Sequence, residues 1–489
     1  MDGNILILIA ILLPIFLGAI FPALKFLKSD IAKNAYLACS VFASGVLAMI
    51  VSYAGNGTTL MVFKLTESLP VFMRTDSISA VFATLVTVIW SLVLFYAFGY
   101  MKEEEETDRF FAFYLMVYGS LLGLCFSGNL VSMYLFYELM TLLSFPLVLH
   151  ERTKEAVLAG LKYLFYSIGG AFVALFFFFV IYREGVSLDF VAGGSMAPFK
   201  GNTLMQVSTL LVLIGFGCKA GMFPLHAWLP TAHPVAPTPA SAVLSGIITK
   251  AGVLAIFRIV FFVIGVDFIR GSWVHYTWLA LTLFTVFMGS MLAYREPLLK
   301  KRLAYSSVSQ VSYVLFGFAT LSPVGILGGL LHVIFHSAIK NTLFLCAGAY
   351  IEKTGRKRVD ELTGIGKTMP YTTWCFTIAG LALIGIPPLS GFVSKWYLCT
   401  GSLDSGTGFF SWLGPVILLL SALLTAGYLL PVTVKGFLPG KDFEPLPKND
   451  VGPLMLVPMI VLASLTALLG IFSTPLCDCL IRILESLSI

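Results

Sequence analysis

Long apolar runs separated by short polar loops make up almost the whole chain. A helix needs about 20 residues to cross the hydrocarbon of a bilayer, and by that ruler the pattern predicts about fourteen spans. They begin near Asn4, Asn34, Ser77, Phe110, Asn129, Ala156, Val207, Pro239, Trp273, Leu303, Val324, Tyr371, Phe410 and Gly452. None of the runs alternates over ten residues as the strands of a membrane barrel do. Lipid offers the backbone no partners, so the spans are predicted to be helices. The predicted class is an all-α polytopic membrane protein. The longest polar stretches, Lys353 to Lys367 and Lys435 to Asp450, are too short to fold alone. The start, MDGNILILIAILLPIF, is acidic and lacks a small-residue cleavage site, so it is predicted to be a retained first span.

Composition removes the soluble alternative. Of 489 residues, 58% are hydrophobic and 11% charged, with a mean hydropathy of +0.93. Soluble domains carry about 25% charged residues. The net charge of +6 does not point to nucleic acid, because it gathers in alternate loops. One set holds Lys25, Lys28 and Lys33; Lys102 and Arg109; Arg152 and Lys154; Arg295 and Lys300 to Arg302; Lys353 to Arg358 and Lys367; then Lys435, Lys441 and Lys448. The intervening loops hold little beyond Lys64, Arg74, Arg183, Lys200 and Arg270. The positive-inside rule makes the first set cytoplasmic, and an even number of spans then leaves both termini outside, in the inner (plasma) membrane. Glu103 to Glu106 reads as a solvated cytoplasmic turn or, secondarily, a contact for a protein partner. The eight cysteines lie mostly in apolar runs with no CxxC pair, so neither a disulfide framework nor an iron–sulfur site is expected.

A charge at the middle of a span costs about 2.5–3.5 kcal/mol on insertion scales, and this chain has several. Glu138 sits in LFYELMTLLSF, Lys219 in LVLIGFGCKAGMF and Lys250 in SGIITKAGVLAIF. Lys395 follows GIPPLSGFVS. Lys162, six residues into its span, is expected to snorkel toward the headgroups. His332, His336 and Lys340 fall at i, i+4 and i+8, one stripe rising about 12 Å along a helix. Two histidines at i and i+4 could ligate zinc, but there is no HExxH and Lys340 on the same stripe opposes a cation. A polar path fits the stripe better; hydrogen bonding to a neighbouring helix is the plainer alternative.

Two spans contain proline breaks: Phe223-Pro224-Leu225 with WLPTAHPVAP, and Gly385-Ile386-Pro387-Pro388-Leu389-Ser390-Gly391. Proline removes a donor and clashes with the preceding turn. Such breaks survive at membrane depth only inside protein or beside a water-filled cavity, and paired broken helices are a pointer to a transporter's site. Each has a lysine beside it, Lys219 and Lys395. Five-span units, residues 110–265 and 273–435, would have opposite topology and form an inverted repeat. Three spans precede them within residues 1–109, and one follows within residues 436–489.

These residues resemble the antiporter-like subunits shared by respiratory complex I, Mrp-type cation/proton antiporters and membrane-bound hydrogenases. The likeness runs through FYELMTLLSFPLV, LKYLFYSIGGA, GFGCKAGMFPLHAWLPTAHPVAPTPASAVLSGIITKAG, KKRLAYSSVSQVSYV, the His332/His336/Lys340 stripe and GIPPLSGFVSKW. The resemblance implies fourteen transmembrane helices with two inverted five-helix repeats and broken helices seven and twelve. It also implies that Glu138 is the helix-five glutamate, Lys219 the helix-seven lysine, Lys250 the helix-eight connecting lysine and Lys395 the terminal lysine of helix twelve. Gln310 stands where several relatives have histidine. The chain also ends soon after the fourteenth span, without the lateral helix of the distal complex I subunit. Lysine rather than glutamate at 395 is more like the Mrp or hydrogenase type.

Burial disfavours a charged lysine and a nearby carboxylate favours it, so Glu138 could switch Lys219 between loading and releasing a proton. The expected path enters near Lys250, crosses by the His332–Lys340 stripe and leaves at Lys395. No glycine loop for a nucleotide, cofactor ligand set or redox group is legible, so no cofactor is expected. The expected partners are other membrane subunits of a multisubunit complex, among them further antiporter-like subunits, together with the bilayer. The ion is the proton, or sodium as well. Three readings follow: a proton-translocating, non-redox subunit of a redox-driven complex, a subunit of an Mrp-type sodium/proton antiporter, or a non-conducting scaffold. The first two use the same residues.

Overall fold

Apolar sequence with no solvent partner for its backbone folds as helix, and the computed structural model is helical throughout apart from one hairpin. It describes residues 3–55, 57–440 and 447–487; Lys441 of the last basic loop lies outside them. The first helices are α1 (Gly3–Ile20), α2 (Asp30–Ala54), α3 (Ser77–Tyr100), α4 (Thr107–Cys125), α5 (Leu130–Val148) and α6 (Lys154–Arg183). Then come α7 (Thr203–Ala220), α8 (Leu229–Val235) and α9 (Thr238–Ile264), α9 holding π-helical stretches at Leu244–Ile248 and Val260–Ile264. The rest are α10 (Trp273–Arg295), α11 (Leu299–Ala319), α12 (Pro323–Thr354), α13 (Pro370–Ile384), α14 (Ser390–Leu403), α15 (Phe409–Phe437), α16 (Pro453–Ile471) and α17 (Thr474–Ser486).

Among the described residues, twelve helices are long and apolar enough to cross a membrane. Two places where the sequence predicts spans fall outside that number for physical reasons. Helix α11 is long enough but carries Lys300, Lys301 and Arg302 in its first turns and four serines beyond them. The pair α13 and α14 is one run of apolar sequence split by Gly385–Leu389 into helices of 15 and 14 residues. Two elements lie beyond the predicted set. Thr59–Thr66 and Leu69–Arg74 (β1 and β2) form an antiparallel hairpin in the loop holding Lys64 and Arg74. The final segment folds as the short amphipathic α17.

The most enclosed spans are α9, buried along its whole apolar window, and α12, 94% buried. Enclosure does not follow hydropathy, since α9 is more apolar than α7 and α10 while α12 is among the less apolar spans; they are central because the other helices surround them. Both carry the anomalous charges. Helix α9 is tied to the hairpin end of α3 by Arg258, 2% exposed, whose guanidinium donates to both oxygens of Asp76 at 2.6 and 2.8 Å. Asp76 also caps α3 by accepting from the Ser79 amide at 2.8 Å. The Arg258 guanidinium lies over the rings of Phe262 and Phe190, 4.7 and 5.3 Å from their centroids. Removing one partner of a buried pair costs about 3–5 kcal/mol. Because the Asp76 side chain is 23% exposed, Arg258→Gln is expected at the low end of that range. A lowered unfolding temperature of the solubilised protein checks it.

Candidate functional site

Lys219 lies in the last turn of α7, which ends at Gly221 with φ +78°, a conformation that glycine alone adopts freely. The chain then breaks through Pro224 before α8 begins. Its ammonium is fully buried and donates to Thr141 Oγ1 at 2.9 Å, Tyr163 Oη at 3.0 Å and Ser167 Oγ at 3.0 Å. The Tyr163 ring centroid is 4.6 Å away, and Tyr163 is bonded to Ser144 at 2.6 Å. An ammonium has three hydrogens; here all three are taken by hydroxyls of α5 and α6.

Glu138 therefore makes no direct bond to Lys219. It is within electrostatic reach, but its side chain opens onto an apolar groove of about 810 Å³ between α5, α6 and the hairpin, among Tyr134, Leu135, Phe178 and Tyr182. Its buried Oε1 has no protein partner. Lys162 has a protein partner: its ammonium donates to Thr231 Oγ1 of α8 at 3.0 Å.

The second cluster lies between α9, α11, α12 and α14. Lys250 Nζ donates to the Ser245 carbonyl at 2.8 Å and lies 2.7 Å from His336 Nδ1. A single proton serves that short contact, whichever of the two bases carries it. One turn along α12, His332 Nδ1 is 2.9 Å from Ser394 Oγ, next to Lys395. Tyr313 joins the same group: its ring stacks on His332 at 5.5 Å, and Lys395 Nζ sits 5.4 Å from its centroid. Lys395 donates to the Leu383 and Ile384 carbonyls at the C-terminal end of α13. That helix stops at Gly385, φ +97°, so the break presents bare carbonyls to an ammonium, the charge such an end favours.

Lys250, His336, His332 and Lys395 thus form one contiguous line. Lys340 is not between them. It is one turn beyond His336, on the side away from His332, and donates to the Leu303 carbonyl of α11 at 3.0 Å. Gln310 is fully buried on α11, and neither amide atom has a protein partner. His332 Nε2 and His336 Nε2 are also unpartnered. Buried polar atoms are almost always bonded to protein or water, so this is a polar interior suited to water. Sequence reasoning passes over Thr141, Tyr163 and Ser167, since hydroxyls in membrane helices give no signal of their own. It also passes over Arg258, although an arginine inside AIFRIVFF is as visible as any of the lysines.

The sequence that builds this site has relatives among known proteins. Residues 127–425 match the family described as NADH:quinone oxidoreductase/Mrp antiporter, transmembrane. The chain belongs to this family. Residues 66–111 also match the N-terminal region of complex I chain 5. Among curated relatives of this family member, NADH-quinone oxidoreductase subunit N of Desulforudis audaxviator is 32% identical over 414 residues, 81% of each chain. One subunit of the Na(+)/H(+) antiporter of Bacillus subtilis is 28% identical over 473 residues, 96% of this chain and 94% of that one. In fold, the chain is similar to one in the membrane-bound sulfane sulfur reductase, an archaeal respiratory membrane complex. The TM-score is 0.84 at 22% identity, over 98% of this chain and 97% of that chain.

Proposed function

We infer that this chain is a proton-translocating subunit of a multisubunit membrane complex, and that Glu138, Lys219, Lys250, His332, His336, Lys340 and Lys395 carry the translocation. The observation that carries this reading is the contact line Lys250–His336–His332–Ser394 ending at Lys395. Charges buried in that number are expensive in a membrane protein and mark ion pathways. Lys340, on the far side of His336, is a side branch of the line. The chain crosses the inner membrane fourteen times with both termini outside, counting α11 and the broken pairs α7/α8 and α13/α14 as crossings. Its two inverted five-helix repeats span residues 110–265 and 273–435, flanked by three spans before and one after.

The partners are the complex's other membrane subunits, some of them antiporter-like, and a redox-driven assembly is the first choice for the source of energy. The Na(+)/H(+) antiporter of Bacillus subtilis, one of whose subunits is similar over 96% of this chain, keeps a second reading in play, in which sodium moves against protons. The intact complex, driven in sealed vesicles, tests both. Proton uptake that persists without sodium supports the redox reading, and uptake that needs sodium supports the antiporter. No uptake under either condition overturns translocation altogether.

Glu138→Gln is expected to slow uptake several-fold without abolishing it. The carboxylate makes no bond to Lys219 but is within electrostatic reach of it, and glutamine removes that charge while keeping the shape. Initial rates in the same vesicles check this.

A further inference from the structure

His233 in α8 has no role in the line described above. It is fully buried, and neither ring nitrogen has a protein partner. Its ring stacks on Phe344 at 4.7 Å, one turn of α12 from Lys340. Lys300, 8% exposed, donates to the Ala236 carbonyl at 2.8 Å, three residues beyond His233. Lys340 in turn bonds the carbonyl of Leu303, three residues beyond Lys300. Two backbone bonds and one ring contact therefore gather His233, Lys300 and Lys340 around the α8–α11–α12 junction.

The outer side of this group is acidic. Glu104 and Glu151 are both within electrostatic reach of Lys300. Glu103, Glu104 and Glu352 line a cavity of about 340 Å³ with Tyr100 and Lys353, and Tyr100 lies near Thr238, whose buried Oγ1 has no protein partner, five residues past His233. Glu352 Oε2 is buried there without a protein partner. Glu103, Glu105 and Glu106 are exposed, as a solvated turn would be, while Glu104 is half-buried and walls the cavity beside Glu103. Burial and the Glu151 charge push the Glu104 carboxyl above its usual range, with Lys300 opposing. Lys353 pairs with Glu352 Oε1 at 3.6 Å, so three carboxylates against one ammonium leave the mouth net negative, and such a mouth concentrates cations.

We propose that the Glu104/Glu352 cavity collects protons and that His233 relays them to Lys340, making the side branch of the main line its intake. A neutral imidazole accepts a proton on one nitrogen and yields one from the other, so His233 passes a proton with no net change. Lys300 holds the C-terminal end of α8 and is a positioning residue. This rests on the proposed translocation and places uptake at Lys340 instead of Lys250.

The test uses the intact complex in vesicles with the acidic cavity facing the medium, and reads the initial translocation rate against the concentration of a mobile buffer, imidazole. E104Q/E352Q is expected to be several-fold slow at low buffer and to regain the wild-type rate at high buffer, because the buffer delivers protons in place of the carboxylates. H233Q is expected to be roughly tenfold slow or worse at every buffer concentration. A wild-type rate for E104Q/E352Q at low buffer, a loss that buffer does not relieve, or a wild-type rate for H233Q overturns the proposal. Should H233Q not assemble on native gels, the cavity pair E104Q/E352Q decides alone. Lys219→Ala run alongside separates the two readings. If it is blocked while these variants run normally, only the intake fails; if it also runs normally, translocation itself fails.

Discussion

Lys219→Ala is expected to leave the complex assembled and to reduce proton translocation to background. The change removes an ammonium whose three donors go to Thr141, Tyr163 and Ser167. Two of those acceptors keep other partners: Thr141 donates to the Tyr137 carbonyl at 3.0 Å, and Tyr163 remains with Ser144 at 2.6 Å. Only Ser167 loses its side-chain bond, so the stability cost is about 1–3 kcal/mol, small for a chain with this much buried helix. The functional loss is of a different order. None of the three hydroxyls takes up an extra proton near neutral pH as an amine does, so under the proposed function the first half of the chain is left without a carrier at the break after Gly221. Native gels read assembly, and a pH-sensitive dye in sealed vesicles reads translocation; a mutant that translocates at near the wild-type rate would remove Lys219 from the path.

How much of this is legible in the sequence depends on contrast. Lys219, Lys250, His332, His336, Lys340 and Lys395 stand out because a charge in an apolar run is anomalous, and the structure buries all six. The helical class is legible for the same reason, from run length alone. The alignment of α9 against α12 is not, since nothing local says that Lys250 meets His336, 86 residues later. The i, i+4, i+8 stripe is right as a face of α12, yet its order along the path is not readable, because only the partner helices show which end meets Ser394 and which meets Leu303. Lys162 shows in the sequence as a lysine near a helix start, and nothing local says that Thr231 of α8, 69 residues later, accepts from it. The hairpin is hidden because its exposed alternation, Met61, Phe63 and Leu65 outward, looks like a loop between spans. His233 gives no signal inside its proline-rich motif, since its burial comes entirely from Phe344 and the helices around it.

Lys395→Arg is the second large effect expected. The lysine sits on the free carbonyls at the end of α13, and arginine offers more donors to the same acceptors and keeps the positive charge at a helix C-terminus. Folding and assembly are therefore expected to survive. What arginine cannot do is release a proton at any physiological pH, and a carrier at the end of the line must release one in every cycle. A lysine that served only to neutralise the break would accept arginine with modest loss.

That difference makes Lys395→Arg the sharpest probe of the claim that this line of buried bases conducts protons. The measurement is the number of protons taken up per turnover of the driving reaction, in sealed vesicles, by the assembled wild-type and Lys395→Arg complexes. The account predicts that the mutant loses this subunit's share of the protons while remaining assembled. An assembled mutant with wild-type protons per turnover and wild-type rate would contradict it.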